Sequence, residues 1–449
     1  MEAADENQTV QREPVYAQAR ASVADLMDVM DEMPLDTDQD LEEDDVKALF
    51  QHRPWQCTDI DMMHRALYHQ ATKCFTAILW PRKFEDWTYE ALVSLFFTSC
   101  TYDYNSLHLM VSYVPKTFVE AIVNGRQTTT FCTPLMAATT LDPESFWQPC
   151  NIVKKIQLLQ SLGAVSSSTN IVTVSRIDEK LEARSALEHI IQFIHSLSTI
   201  DTIPLQKFDS ELLECVDLLL QAMKKEQGEN LPVSLLAVLM LHENFSNLIR
   251  YRKAHETLYH SLEVNLKVLD MVLKAGLNLR NMQQKRPSPI NPTIEYTDHC
   301  NYSGIYFDQC CEAMANLIIR FGRSGKVFDY MMEFYMKLLL YGHQPDMKWA
   351  LFLDAIERFR PAALLPLVPR VLSLMSPEKQ REVVNADRLQ MADELDINYL
   401  KSVPIPIKFP TLQELCRRVT YMCIKDGRMA THVDKLPITK QTKAFLMFQ

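Results

Sequence analysis

Glycine is scarce in this 449-residue sequence, which has only 9 glycines beside 22 prolines. Rossmann folds and phosphate-binding loops need glycine at backbone positions with positive φ. In the segment GRSGKV, residues 322–327, Arg320 stands where a phosphate loop needs its first glycine, and Val327 replaces the hydroxyl residue that would hold magnesium. The shortage of glycine argues against nucleotide-binding enzymes of these types and favours an all-helical fold.

Long hydrophobic runs are also missing, since none approaches the roughly 20 residues that a membrane helix needs. The first ten residues, MEAADENQTV, lack the basic start and apolar stretch of a secretory signal. The 11 cysteines are odd in number and follow no regular spacing, unlike those of a secreted disulfide framework. These absences predict a cytoplasmic or nuclear protein with reduced thiols and no membrane partner.

Metal-binding and catalytic motifs are absent as well. The 12 histidines form no HExxH or His-x₃-His set. His299, Cys300, Cys310 and Cys311 lie close in sequence, but adjacent cysteines do not easily ligate one zinc ion. Buried thiols explain them better, so no metal, cofactor or catalytic residue is predicted. An enzyme with a site assembled from distant residues is the alternative, and a convergent pocket of ionisable groups would indicate it.

The negative charge of the chain is concentrated at its amino terminus. Residues 1–45 carry fifteen Asp or Glu and two Arg, a net charge of −13, whereas the whole chain carries −11. This acidic segment is poor in aromatic residues and is predicted to be disordered. Residues 21–33 within it repeat apolar side chains at helical spacing, which fits either a short frayed helix or a linear motif that folds on a partner. The sequence contains no basic stripe, so nucleic-acid binding is not predicted.

From residue 46 to 350 the sequence predicts one helix after another. The clearest unit spans residues 133–165, where Thr133 is a suitable N-cap and Pro134 suits the first helical position. A second helix follows and closes on Gly163, a residue type that favours the left-handed end of a helix. This pair of helices resembles the ankyrin repeat.

Other segments share parts of that pattern, and the spacing between them is irregular. The resemblance implies a degenerate array with insertions, and a generic helical solenoid or bundle is the alternative. Related segments lie at 61–79, 106–125, 185–222, 265–281 and 328–346, with insertions near 166–184, 195–210, 242–262 and 282–300. Gly125, Gly276 and Gly342 stand where Gly163 stands in the clearest unit.

A boundary is predicted after this array. Prolines at 361, 366 and 369 are expected to break or kink helices. Residues 351–410 are interpreted as a helical or extended connector, and residues 411–449 as a separate element.

The carboxyl-terminal element begins with an amphipathic helix. Thr411 and Glu414 form a T-x-x-E capping box, which predicts a helix from Leu412. Its apolar stripe contains Leu412, Leu415, Cys416, Val419 and Cys423, with Arg417 and Arg418 on the other side. Residues 426–434 are predicted to be a loop. A second helix follows Leu436 and Pro437 and carries Ile438, Phe445, Leu446 and Phe448.

The order T-L-x-x-x-C and then L-P-Φ resembles a SOCS box, and with the repeats the chain resembles the ankyrin repeat and SOCS box (ASB) family. The resemblance implies that the first helix binds elongin C, with elongin B attached, and that the Leu-Pro segment recruits a cullin, usually cullin-five, with its RING protein. The implied elongin-binding residues are Thr411, Leu412, Leu415, Cys416 and Val419, and the implied cullin-binding residues are Leu436, Pro437 and Ile438. Thr420, Thr439 and Thr442 depart from the family pattern.

The implied function is that of a non-catalytic substrate-recognition subunit of a ubiquitin ligase. The repeats would hold a protein client, whose identity the sequence does not give. The alternative is a repeat scaffold whose last helices only cap the solenoid. The two readings differ at Leu412, which contacts a partner in the first and lies buried within the chain in the second.

Overall fold

The structure is a computed structural model. It describes residues 57–68, 72–80, 82–125, 132–139, 151–175, 180–199, 208–227, 240–241, 244–245, 248, 256–275, 285–287, 295–297, 317–319, 321–323, 325–341, 353, 355–356, 358–375, 416–417, 419–420, 423–424 and 429–447. The acidic segment 1–45 and residues 376–410 of the predicted connector lie outside this set. So do His299, Cys300, Cys310 and Cys311.

Helices dominate the described residues, so the all-helical class is confirmed at this level. The chain divides into two compact units, Met1–Val165 and Ser166–Gln449. This division lies inside the predicted array 46–350. None of the described helices is long and apolar enough to cross a membrane.

The first unit contains seven described α-helices. They are α1 Cys57–Tyr68, α2 Thr72–Leu79, α3 Tyr89–Tyr102, α4 Tyr104–Tyr113, α5 Lys116–Ile122, α6 Pro134–Thr139 and α7 Ile152–Ser161, with a 3₁₀ turn at Phe84–Asp86. Helix α3 contacts α1, α4 and α6, and α7 packs on α4 and α6. Leu95, Phe96 and Cys100 place α3 at the centre of the core because none of them reaches solvent. Thr88 caps α3 by accepting a hydrogen bond from the Ala91 amide at 3.2 Å.

The helix pair predicted at residues 133–165 is present as α6 and α7. The Thr133 hydroxyl accepts a hydrogen bond from the Met136 amide at 3.3 Å, as an N-cap should. Gly163 has φ +94°, and the Ala164 amide donates to the Leu159 carbonyl at 2.9 Å. Because this is the bond pattern of a left-handed helix end, the predicted role of Gly163 is confirmed.

Gly125 does not end its helix in the same way. Its φ is not in the left-handed region, and its amide donates to the Ile122 carbonyl at 2.8 Å in a tight turn. The left-handed conformation instead recurs at Gly322, φ +69°, which the sequence did not place at a helix end. A glycine after an apolar helix therefore does not fix the turn type, because several turns satisfy the last carbonyls. Gly276 and Gly342 lie outside the described residues.

The second unit begins with an antiparallel hairpin and continues with packed helices. Its elements are β1 Asn170–Ser175, β2 Lys180–Arg184, α8 Ala186–Thr199, α9 Asp209–Gln227, α10 Glu256–Ala275, β3 Lys285–Pro287, β4 Glu295–Thr297, α11 Lys326–Leu340 and α12 Leu367–Leu374. Each helix from α8 to α12 contacts the next one. The pair α8–α9 corresponds to the predicted helices of 185–222, and Ser185 starts it as a capping box with Glu188, whose carboxylate accepts from the Ser185 amide at 2.7 Å.

Two of the predicted insertions contain antiparallel hairpins. Strand β1 pairs with β2, with Asn170 opposite Arg184, and β3 pairs with β4, with Lys285 opposite Thr297. In the other two, α8 continues to Thr199 and α10 begins at Glu256, so the segments at 195–210 and 242–262 are partly helical. The apolar spacing of the two helices continues into these segments, because Leu197 of α8 and Leu258 and Leu262 of α10 are buried.

The proline-rich segment does not interrupt packing. Arg360, before Pro361, takes φ +48°, and Pro366 precedes α12. Pro369 lies inside the first turn of α12, where its missing amide costs no helical hydrogen bond. Helix α12 packs on α11, so contacts continue across the predicted boundary near residue 350.

Candidate docking helix at the carboxyl terminus

A helical segment follows the predicted connector, residues 351–410. Residues 416, 417, 419, 420 and 423 are helical, the Thr420 hydroxyl donates to the Cys416 carbonyl at 2.9 Å, and the Ile424 amide donates to the Thr420 carbonyl at 3.0 Å. We call these residues the docking helix. Thr411, Leu412, Leu415 and Arg418 lie outside the described residues.

One face of the docking helix is open. Cys416 and Cys423 are exposed, and Val419 keeps 61% of its surface accessible. These positions lie three and four residues apart, which puts them on one side of a helix. Cys416, predicted to lie in the apolar stripe, is therefore exposed within this chain.

Arg417 holds the opposite side. Its Nε and one terminal nitrogen both donate to the Phe445 carbonyl, at 3.0 and 2.8 Å. Its guanidinium also lies 4.0 Å from the centre of the Phe445 ring. A planar guanidinium suits this combination of forked hydrogen bonding and ring stacking. Arg417 therefore fixes which way the docking helix faces, and it turns Cys416 and Val419 outward.

Three elements follow the docking helix. They are α13 Met429–His432, a 3₁₀ turn Val433–Lys435 and α14 Lys440–Leu446. The predicted loop at 426–434 is therefore wrong from residue 429 onwards. Met429 and Val433 are fully buried, so their burial holds a single helical turn that is too short to show a periodic pattern in the sequence.

The predicted cullin-binding residues form a turn before α14. The Ile438 amide donates to the Leu436 carbonyl at 2.9 Å, which reverses the chain tightly around Pro437. Pro437 is exposed, while Leu436 and Ile438 are half-buried. Ile438 thus precedes the helix rather than belonging to it.

Thr439 has a structural role that the resemblance to a SOCS box did not suggest. Its hydroxyl accepts a hydrogen bond from the Thr442 amide at 3.2 Å, which makes it the N-cap of α14. The hydroxyls of Thr439 and Thr442 are 2.9 Å apart. Both departures from the family pattern therefore belong to one helix cap. A threonine just before a helix is a signal that sequence reasoning could have used.

His64 is an ionisable side chain of the first unit with hydroxyl partners. His64 contacts two hydroxyls, with Nε2 3.2 Å from the Ser94 oxygen and Nδ1 3.0 Å from the Thr98 oxygen. Burial lowers the pKa of His64 despite the nearby Asp61 carboxylate. No group of three potential metal ligands occurs in the part of the chain that the structure describes.

Comparison with known proteins gives no relative: no family model, no curated protein and no solved structure matches this chain.

Proposed function

We propose that this chain is the substrate-recognition subunit of an elongin–cullin ubiquitin ligase, acting in the cytoplasm or nucleus. In this proposal residues 411–449 form a SOCS box of the ASB type, and the helices of residues 46–350 form degenerate ankyrin-like repeats that bind a client. The chain performs no chemistry itself. It holds a client lysine near the ubiquitin-charged enzyme, so its contribution is proximity.

The outward face of the docking helix is the observation that carries the proposal. Cys416 and Val419, two residues of the proposed elongin-binding motif, face solvent, while their neighbour Arg417 is hydrogen-bonded to α14. Burying the accessible 61% of Val419 in a partner would add roughly 1–2 kcal/mol of hydrophobic free energy to binding. An exposed apolar face at this motif supports a docking role.

The scaffold alternative predicts a different arrangement. A helix that only caps a solenoid covers the last repeat with its apolar stripe. The described part of this stripe, Cys416, Val419 and Cys423, is exposed. The alternative therefore has less support than the docking role.

Co-expression with elongins B and C tests the proposal. The wild-type chain should purify as a stoichiometric complex, and the variant with Leu412→Asp and Cys416→Asp should fold but leave the elongins behind. Pro437→Ala, which changes the exposed turn before α14, should keep the elongins and weaken capture of a cullin. A stable wild-type chain that purifies without elongins would instead support the scaffold.

A further inference from the structure

The first unit displays exposed aromatic side chains on one short segment. Trp80 keeps 52% and Tyr89 keeps 56% of its surface accessible, and Phe84 between them is half-buried. Large exposed aromatic residues add nothing to a core, and tryptophan and tyrosine are enriched at the centres of protein interfaces. We call Trp80, Phe84 and Tyr89 the aromatic platform.

Two rings, the half-buried Tyr113 and the buried Phe118, support the platform. Trp80 meets the Tyr113 ring edge-on, with centroids 6.2 Å apart. Phe84 and Tyr89 both meet the Phe118 ring edge-on, at 5.7 and 5.5 Å. Such contacts fix ring orientation, so little side-chain entropy remains to be lost on binding.

Hydrogen bonds also fix the backbone of this segment. The Tyr113 hydroxyl donates to the Arg82 carbonyl at 2.9 Å and accepts from the Trp87 indole nitrogen at 2.9 Å. The Asp86 carboxylate accepts from the Lys83 amide at 2.9 Å. The platform is therefore a preorganised surface rather than a loose loop.

Carboxylates accompany the aromatic residues. Glu85, Asp86 and Glu90 are exposed in the same segment, where the sequence FEDWTYE alternates rings and acids. Burial raises the pKa of the Tyr113 hydroxyl, and Asp86 and Glu85 act in the same direction, against Arg82 and the bond from Trp87. Both carboxylates thus lie near enough to act on the ring that supports Trp80.

Basic groups of the same region contact a ring or a carboxylate. The Arg82 guanidinium lies 5.9 Å from the centre of the Trp87 ring, and Lys116 lies 3.5 Å from Glu120. Lys83 is the exposed cation of the segment. Aromatic faces and carboxylates both attract cations and repel anions, so the two features select the same ligand chemistry.

We propose that the aromatic platform binds an arginine- or lysine-bearing segment of a protein client. Guanidinium groups would lie over the Trp80 and Tyr89 rings, with Glu85 and Glu90 supplying the opposite charge. The chain's own amino-terminal segment does not fit this surface, because its net charge of −13 would be repelled. As a client site this inference rests on the proposed function, although cation binding by the platform does not.

Fluorescence anisotropy with labelled short peptides tests the platform on the full-length chain. The probes are a peptide that alternates arginine and serine and versions with glutamine or glutamate in place of arginine. At physiological ionic strength the arginine peptide should bind best. Trp80→Ser with Tyr89→Ser, and separately Glu85→Gln with Glu90→Gln, should each weaken its binding about tenfold or more.

Ile319→Ser is the matched control, since Ile319 is 82% exposed and lies in the second unit. Binding to the acidic amino-terminal segment is common to all variants, so a platform site requires a difference between them. Equal binding by the wild type and the Trp80/Tyr89 variant would overturn the proposal, as would equal binding of the glutamine peptide. A self-association that the same variant abolishes would also overturn it, by making the platform a contact between copies.

Elongin capture by the same variants separates the two proposals. Loss of peptide binding by Trp80→Ser with Tyr89→Ser, with elongin capture intact, supports both. If no variant affects peptide binding while the wild type captures elongins, only the platform inference fails. If the platform binds arginine peptide but the wild type ignores elongins, the ligase proposal fails and a cation-binding surface remains.

Discussion

At the scale of single residues, a buried lysine joins two helices of the first unit. Lys155 on α7 has no accessible surface, and its Nζ donates to the Thr101 carbonyl near the end of α3 at 2.7 Å. Carbonyls in the last turn of a helix lack intrahelical partners, and a positive charge suits that end of the helix dipole. A lysine inside an apolar face thus caps another helix.

Lys155→Met keeps the length of the side chain and removes the donor. We expect this variant to lose about 1–3 kcal/mol of unfolding free energy in urea titration, since a hydrogen bond to a charged group is lost in the core. Lys154→Met is the matched control. Its exposed ammonium lies 5.7 Å from the centre of the Tyr104 ring, so its loss should cost at most about 1 kcal/mol. Equal stability of the two variants would contradict the assigned role of Lys155.

His189 gives a pH dependence. Burial, with a contribution from Arg184, lowers its pKa to about 4. Because the unfolded chain takes up this proton at about pH 6.5, it binds more protons than the folded chain between about pH 6.5 and 4. The free energy of unfolding is therefore highest above about pH 6.5. It falls as the pH decreases through the window, by up to about 1.4 kcal/mol per pH unit.

Urea titrations across this window check the expectation. His189→Gln should flatten the slope, although part of it should remain because burial also lowers the pKa of His64 and His195. An unchanged slope in His189→Gln would show that other groups control the acid response.

Local signals predicted several of these residues and missed others for a physical reason. Thr133 and Gly163 act on backbone groups within a few positions of themselves, so their residue types indicated their roles. Lys155 and Arg417 act on carbonyls 54 and 28 residues away. Nothing in the neighbouring sequence could reveal such partners.

At the scale of elements, the relation between the docking helix and α14 decides which motif residues a partner can reach. Arg417 of the docking helix donates two hydrogen bonds to the Phe445 carbonyl of α14. We expect Arg417→Met to loosen the docking helix and raise amide hydrogen exchange in residues 416–424 about five- to thirty-fold, the effect of losing about 1–2 kcal/mol.

Arg417→Lys should give an intermediate increase, because an ammonium can donate to the Phe445 carbonyl but cannot stack as a flat group. Both changes leave the outward face chemically intact. Elongin affinity should therefore fall less than in a variant of that face. Exchange rates in Arg417→Met that match those of the wild type would show that other contacts orient the helix.

The elements themselves were predictable where a helix is long or well capped. The α6–α7 and α8–α9 pairs follow apolar spacing and caps, whereas α13 is one turn whose stability comes from the burial of Met429 and Val433. The ends of α8 and α10 keep the apolar spacing of these helices, with Leu197 and Leu258 buried. Among the residues proposed to bind elongin C, Cys416 and Val419 lie on one helix face as predicted. Their exposure could be seen only in the structure.

At the scale of the whole molecule, the two candidate binding surfaces lie on different units of the chain. The first unit offers a rigid aromatic and acidic surface, and the carboxyl terminus of the second offers an apolar helix face. The excess negative charge lies in the first 45 residues, so the remaining chain is close to neutral. Surfaces of neutral proteins gain specificity from a few shaped contacts rather than from a general field.

The most direct test is a calorimetric titration of the purified full-length chain with the elongin B–elongin C complex. We expect the wild type to bind with one-to-one stoichiometry and Val419→Asp to lose at least about tenfold in affinity, because it places a charge in an apolar interface. Ile319→Asp adds the same charge at another exposed aliphatic side chain and should bind like the wild type. No binding by the wild type, or equal loss in both variants, would contradict the docking role of this helix.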